Sequence, residues 1–442
     1  MPEGESFYSN DRGCEQYEVF LVLSVAPLAI LLRNLALPWI FLGQRFSSDD
    51  WGFGLKFFLD FLVVVVPTLL AQSFFANSVL FMLLLLLGLS QKIIEEHHQP
   101  TTFVTYFRAM VLVLTGIAIL AVDFRVFPRS VMDVGVAAFV YMLAISRQVK
   151  TQGMKEREER YGGRFRQLLT SSTAVLIYLG LGRTFILKAL EYQESVSEYG
   201  VHWNFFYTFF VIQVVSRFLG KRWHLLIAVL FSALHQLLLG LGNEEWILAD
   251  NEPRDTLISA NREGICSLMG YIALYYFASS IGKFITTTGC RIRNWLQCNL
   301  WLYLFAVMFF FLQKGSEMAF GLPSRRITNL PYIFSQLCIL TYSLGLCLSV
   351  QMVALTGWAA NMPHFGTDEK PWSGVQPCLL TAVNKAGIAF FLLGNVLTGI
   401  VNMSTKTSDV DDASATGILI VYNFVCCGAA SWSAARRRRK QL

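Results

Sequence analysis

Five short polar blocks interrupt an otherwise apolar chain of 442 residues, and three of them hold residue types suited to acid–base or phosphate chemistry. In the first, Asp123 closes one apolar run and Asp133 opens the next, with Arg125 and Arg129 between them. A carboxylate at a membrane boundary is partly desolvated, which makes it a stronger base than one in water. The same residues also suit a plainer role, a helix cap with an Asp–Arg pair that orients a tight turn. The second block, Glu198-Tyr199-Gly200-Val201-His202-Trp203-Asn204, sets His202 and Asn204 among aromatics where an apolar run begins. An imidazole there can exchange protons near neutral pH. A hydrogen-bonded His in an interfacial aromatic belt is the alternative. The third block, Ser259-Ala260-Asn261-Arg262-Glu263-Gly264, puts an amide, a cation and an anion side by side. Arg262 and Glu263 can orient a phosphate or a sugar hydroxyl, or form a helix N-cap with mutually neutralising charges. The two smaller blocks are Arg325-Arg326-Ile327-Thr328-Asn329 and Asn395 to Ser404, the latter ending in an Asn402-Met403-Ser404 glycosylation sequon.

These blocks need elements to hold them, and the composition says what kind. Only 15% of the residues are charged and 54% are hydrophobic, against about 25% charged in a soluble domain. Lipid is therefore the main solvent. Long aliphatic runs such as Val79 to Leu89 lack the alternation of a membrane barrel strand. Helices satisfy their own backbone hydrogen bonds, so they are the expected spanning element. With about 20 apolar residues per span, the chain reads as all-α, a polytopic integral membrane protein of about thirteen transmembrane helices. They are expected near 18–42, 55–75, 77–93, 105–122, 131–147, 167–189, 202–219, 222–243, 261–283, 294–313, 328–352, 376–401 and 414–434. The whole of 1–442 reads as one membrane domain, since the charged insert 148–166 is too short for a core of its own.

Charge sets the expected orientation. Basic residues gather in 148–166, in 217–224, in 284–293 and in the Arg436–Lys440 run. The alternate loops hold Glu191, Glu194 and Glu198, then Glu244, Glu245 and Asp250, then Asp409, Asp411 and Asp412. The positive-inside rule places the first set and the tail 435–442 in the cytosol, and the polar N-terminus 1–17 in the lumen. All five polar blocks then face the lumen. The net charge of +6 lies in loops beside membrane segments, which argues for orientation rather than nucleic-acid binding. The nine cysteines are scattered through apolar segments, without metal-type spacing, and read as reduced small hydrophobes. No phosphate-binding Gly loop, GxSxG elbow or zinc pattern is present in the sequence.

In this order, the blocks resemble the glycosylphosphatidylinositol (GPI) inositol-acyltransferase family, of the PIG-W type. The resemblance rests on VDFRVFPR (122–129), MDVGV (132–136), LEYQESVSEYGVHWNFFYT (190–208), ILADNEPRDTLISANREGI (247–265), SRRITNLPY (324–332) and NVLTGIVNMS (395–404). It implies an O-acyltransferase of the endoplasmic reticulum membrane. The reaction would carry a long-chain acyl group, typically palmitoyl, from acyl-CoA to the inositol 2-hydroxyl of glucosaminyl-phosphatidylinositol. Membrane lipid and acyl-CoA would be its partners, with acyl-CoA a co-substrate and no cofactor or metal. The resemblance places the family's active-site aspartate at Asp123 as general base. Arg125, Arg129, Asp133, His202, Asn204, Arg262, Glu263 and Asn329 become candidates for binding substrate.

The chain departs from the family at one point. The family usually follows its aspartate with a lysine about ten residues later. Here Arg129 runs directly into Ser130-Val131-Met132-Asp133, and the lysine stretch is missing. Arg does not replace Lys in geometry or acidity. Three rival readings follow: a catalytically impaired member, a secondary transporter of a small or lipid substrate, and a histidine-dependent acyltransferase centred on His202 or His235. A transporter is expected to show internal repeats and polar groups at midplane, and this chain shows neither pattern.

Overall fold

The computed structural model describes residues 16–42, 50–72, 103–124, 130–153, 172–189, 199–219, 223–249, 253–288, 291–360, 378–407 and 410–439. Every regular element among them is a helix. In chain order these are α1 (Gln16–Leu42), α2 (Asp50–Asp60), α3 (Val66–Ala71), α4 (Phe103–Ala121), α5 (Ser130–Gly153), α6 (Ser172–Ala189), α7 (Phe205–Phe218) and α8 (His224–Leu238). There follow α9 (Glu244–Leu248), α10 (Leu257–Ala260), α11 (Arg262–Thr286), α12 (Ile292–Phe320), α13 (Leu330–Ala360), α14 (Leu379–Lys385), α15 (Gly387–Ser404) and α16 (Asp412–Arg439). Among the described residues, nine helical stretches are long and apolar enough to cross a membrane, and two apolar helices are shorter. The expected span at 77–93 lies outside the described residues.

Two interruptions have readable causes. Pro67 lacks an N–H and would clash inside a helix. The π-helical turn Phe61–Val65 joins α2 to α3 just before it, a common way to absorb such a misfit. The expected single span at 376–401 is instead two helices. Ala386 leaves helical geometry at φ −99° and ψ 14°, and α14 ends where α15 begins.

The chain clusters into two units: Met1–Gly135 with Tyr342–Leu442, and Val136–Thr341. The division falls within α5 and α13. In the first unit, α4 is packed by α14, α15 and α16. Its N-terminal amide, on Phe103, donates to Gln351 Oε1 at 2.6 Å. A buried ion pair ties this unit together. Arg33 of α1 donates to Asp60 of α2 at 2.8 and 3.3 Å, and Asp60 also accepts the Leu379 amide that opens α14. Beside it, Asn34 donates to Tyr106 Oη at 2.9 Å. An ionisable residue inside a span is costly unless paired, and here each charge has its partner.

In the second unit α11 is the hub, mostly buried against α7 and α8. Its Phe277 ring meets Phe309 of α12 and Phe334 of α13. By contrast α8 and α12 are as apolar as α11 but mostly exposed. Their outward residues, among them Leu226, Leu230, Leu234, Leu300 and Phe311, face what a membrane would fill with lipid.

Candidate functional site

The polar blocks sort into two sets, one in each unit. In the first unit α4 ends in a tight turn, with the Asp123 amide on Leu120 O at 3.2 Å. This turn leaves the Asp123 carboxylate half-exposed at the helix end. Asn402, in the last turn of α15, donates its Nδ2 to Asp123 Oδ2 at 2.9 Å. The block 395–404 is therefore the partner of the block that holds Asp123. Tyr422 of α16 lies close enough to interact electrostatically with Asp123, and its hydroxyl approaches Thr398 Oγ1 at 3.5 Å. The glycine at 394 permits this approach, because a methyl there would sit 2.8 Å from Tyr422 Oη. An amide donor on one carboxylate oxygen fixes the orientation of the other. Such a group can accept a proton from a substrate hydroxyl.

Asp133 stands exposed in the first turn of α5, where its charge complements the helix dipole. Arg125 and Arg129 lie outside the described residues.

In the second unit three blocks meet. Residues 199–204 dock on residues 260–261: the Val201 amide donates to Ala260 O at 2.9 Å. The His202 and Trp203 amides both donate to Asn261 Oδ1, at 2.7 and 2.8 Å. Gly200 is required here on two counts. Its φ is +102°, and a methyl would lie 2.5 Å from Ala260 O, so only glycine fits the conformation and the space. Asn204 caps α7, accepting from the Phe206 and Tyr207 amides, and staples α6 by donating to Gly180 O and Thr184 Oγ1. Its amide is used within the protein. The His202 side chain is exposed.

The buried charges lie beside this junction. Glu263 is wholly buried, and Arg254 holds both its oxygens, at 2.7 and 3.2 Å. Arg326 and Arg262 approach Glu263 Oε1 at 3.6 and 3.8 Å. Arg262 is also wholly buried, donates to Ala249 O and lies over the Trp246 ring. Arg325 lies over the Tyr199 ring. The loop carrying Arg325 and Arg326 is pinned by its neighbours. His235 of α8 is buried with Nε2 on Ile327 O at 2.8 Å, and Gln236 Oε1 accepts the Leu330 amide. Thr328 takes φ +49°, a strained conformation for a β-branched residue. Asn329 closes the loop by accepting from the Ser324 and Tyr332 amides and donating to Leu322 O.

Asp123 is thus brought together with Asn402, while Asn204, Arg262, Glu263 and Asn329 sit inside the second unit's own packing. The sequence reading missed Asn402 as a partner of Asp123, Arg254 and Arg326 as partners of Glu263, and the Arg33–Asp60 pair. Arg33 and Asp60 carried a usable signal, since each stands within an apolar run.

Comparison with known proteins adds a family. Over residues 2–433 the chain matches the family model described as GWT1. It is 28% identical to the glucosaminyl-phosphatidylinositol-acyltransferase PIGW of Mus musculus, over 96% of this chain and 95% of that protein. The protein of the same description from Homo sapiens is also 28% identical, over the same shares. The GPI-anchored wall transfer protein 1 of Gibberella zeae is 32% identical, again over 96% and 95%. The alignment to the mouse protein spans 493 positions, more than the 442 residues of this chain. The relative therefore carries segments that this chain lacks.

Proposed function

The chain belongs to the GWT1 family, and we propose that it is the acyltransferase that acylates glucosaminyl-phosphatidylinositol in GPI-anchor biosynthesis. The reaction class rests on the match along almost the whole chain to relatives described by that activity. The finer assignments are ours: a long-chain acyl-CoA, palmitoyl-CoA first, as donor, and the inositol 2-hydroxyl as acceptor.

The observation that carries the site is the Asp123–Asn402 pair. An inositol hydroxyl is a weak nucleophile and needs a base within reach. In our reading the Asp123 carboxylate takes the hydroxyl proton as the oxygen attacks the thioester carbonyl. The tetrahedral intermediate collapses, the C–S bond breaks, and the CoA thiolate leaves and is protonated. The product is an inositol ester. Asn402 keeps the carboxylate aimed. Arg125 and Arg129 follow Asp123 in sequence and are our choice for the positive charge that the developing oxyanion requires. Asp133 and His202, both exposed, are assigned to binding the polar headgroup or the CoA phosphates, while Arg262, Glu263 and Asn329, held in the second unit's own packing, shape the segment that carries His202. Asn204 supports them by fixing α7.

The protein is a multi-pass membrane protein. We place it in the endoplasmic reticulum with its N-terminus lumenal and its C-terminus cytosolic, on the distribution of basic loops. The direct Arg129–Ser130 junction favours one second reading, a member that keeps the fold and the lipid site but not the turnover. Expression in cells lacking inositol acylation separates the two. Restored acylation of glucosaminyl-phosphatidylinositol supports the enzyme; stable expression without acylation overturns it.

A further inference from the structure

A cavity of about 370 Å³ opens between the start of α8 and the end of α11. It is lined by Trp223, His224, Leu225 and Leu226 on one side and by Ser280, Lys283, Phe284 and Thr287 on the other. It lies at the opposite end of α11 from Glu263, with Lys283 about 30 Å farther along the helix. Nothing in the acyl-transfer reading uses it.

Its chemistry is that of an anion site beside an apolar wall. Lys283 is exposed at the rim, and none of the lining residues is a carboxylate. The first turn of α8 points its amides this way, and Trp223 gives them no side-chain cap. Such amides have no intrahelical acceptor and favour negative charge. The independent observation is His224. Its side chain is 6% exposed and lines the cavity, yet its Nδ1 is buried without a hydrogen-bond partner. A buried polar atom left without a partner is costly, so a ligand that supplies one is stabilised there.

The walls select the rest of the ligand. Trp223, Leu225 and Leu226 are exposed by 65%, 59% and 52%, and the exposed stripe continues along α8 through Val229, Leu230, Leu234 and Leu237. An acyl chain lying along that stripe starts at the polar end of the cavity.

We propose that this cavity holds the phosphate of an anionic glycerophospholipid, with Lys283, His224 and the first-turn amides of α8 on the phosphate and the acyl chains along α8. The apolar wall at Leu225 and Leu226 continues as the exposed stripe of α8, and the cavity is small beside a whole CoA nucleotide, which favours a membrane lipid over acyl-CoA. The site is independent of the reaction proposed above.

Native mass spectrometry of the purified full-length protein tests this with three probes: phosphatidylglycerol, phosphatidylcholine and palmitoyl-CoA. The expected result is preferential retention of phosphatidylglycerol over phosphatidylcholine. Lys283→Glu is expected to weaken that retention about tenfold, the effect of reversing one charge at a headgroup. Thr287→Glu, an exposed change that adds a carboxylate to the rim, is expected to act in the same direction. Equal retention of phosphatidylglycerol by wild type and by both variants overturns the site. Displacement of phosphatidylglycerol by an equimolar amount of palmitoyl-CoA overturns the choice of a membrane lipid.

Discussion

Asp123 follows the last turn of α4, half-exposed, with the Asn402 amide on one oxygen. Glu263 sits in the first turn of α11, wholly buried, with both oxygens on Arg254 and two further guanidiniums within 3.8 Å. Both are carboxylates at helix ends inside polar blocks of similar density. The difference lies in their burial: Asp123 is half-exposed and Glu263 is wholly buried. A base must reach a substrate proton, and Glu263 is enclosed by cations of its own chain. Its role is to hold together the loop at Arg326, the segment at Arg254 and the start of α11. Asp123 is oriented by the Asn402 amide and half-exposed. Polar density therefore marks two different arrangements in this protein: a half-exposed carboxylate in one unit and a buried ion-pair cluster in the other.

The comparison breaks most visibly if Asp123 is dispensable. Asp123→Asn keeps the size and the approach of Asn402 but removes the basic oxygen. Acyl transfer is expected to fall about 10³-fold, the scale of general-base catalysis, while thermal unfolding stays unchanged. Full transfer by the variant in microsomes would remove Asp123 as the base. The converse experiment is Glu263→Gln. Removing this buried carboxylate takes away its ion pairs with Arg254, Arg326 and the wholly buried Arg262, at a cost of about 3 kcal/mol. We expect a lower melting temperature and lower yield in detergent. A variant that melts like wild type but loses turnover would make Glu263 a functional carboxylate after all.

Much of this was legible in the sequence, for physical reasons. Apolar runs of spanning length announce helices, because lipid leaves the backbone no other partner. The expected spans at 105–122 and 261–283 correspond to α4 and α11 within a few residues. The blocks around His202 and Asn261 were legible as special, and the structure gives the reason. Gly200, Asn204 and Asn261 are residue types that a tight backbone junction needs. What composition does not carry is pairing across the chain. Asn402 lies 279 residues from Asp123, and read locally it suggests a glycosylation sequon. The break at Ala386 was equally hidden, since 376–401 is apolar on both sides of it.

Asn204 and Asn402 test the two regions at an intermediate scale. Asn204→Ala removes the α7 cap and two bonds to α6, and we expect about 2 kcal/mol of lost stability with kcat unchanged in the protein that remains folded. Asn402→Ala removes the orienting donor from Asp123, and we expect about a tenfold loss of kcat with little change in stability. Because Asn402 Nδ2 is the atom on Asp123, and the atom a glycan would occupy, endoglycosidase treatment is expected to leave the migration of the wild-type protein unchanged.

The smallest effect is the sharpest on the second unit. His202 and Asn204 stand two residues apart in one block, but Asn204 is buried in its own hydrogen bonds and the His202 side chain is exposed. The His202 backbone amide is already held by Asn261, so His202→Ala leaves the junction intact. If the imidazole touches the substrate headgroup, the variant loses about one hydrogen bond, about fivefold in kcat/KM, chiefly through KM. If kcat falls as steeply as in Asp123→Asn, the chemistry belongs to the histidine, and the proposal of Asp123 as the base fails.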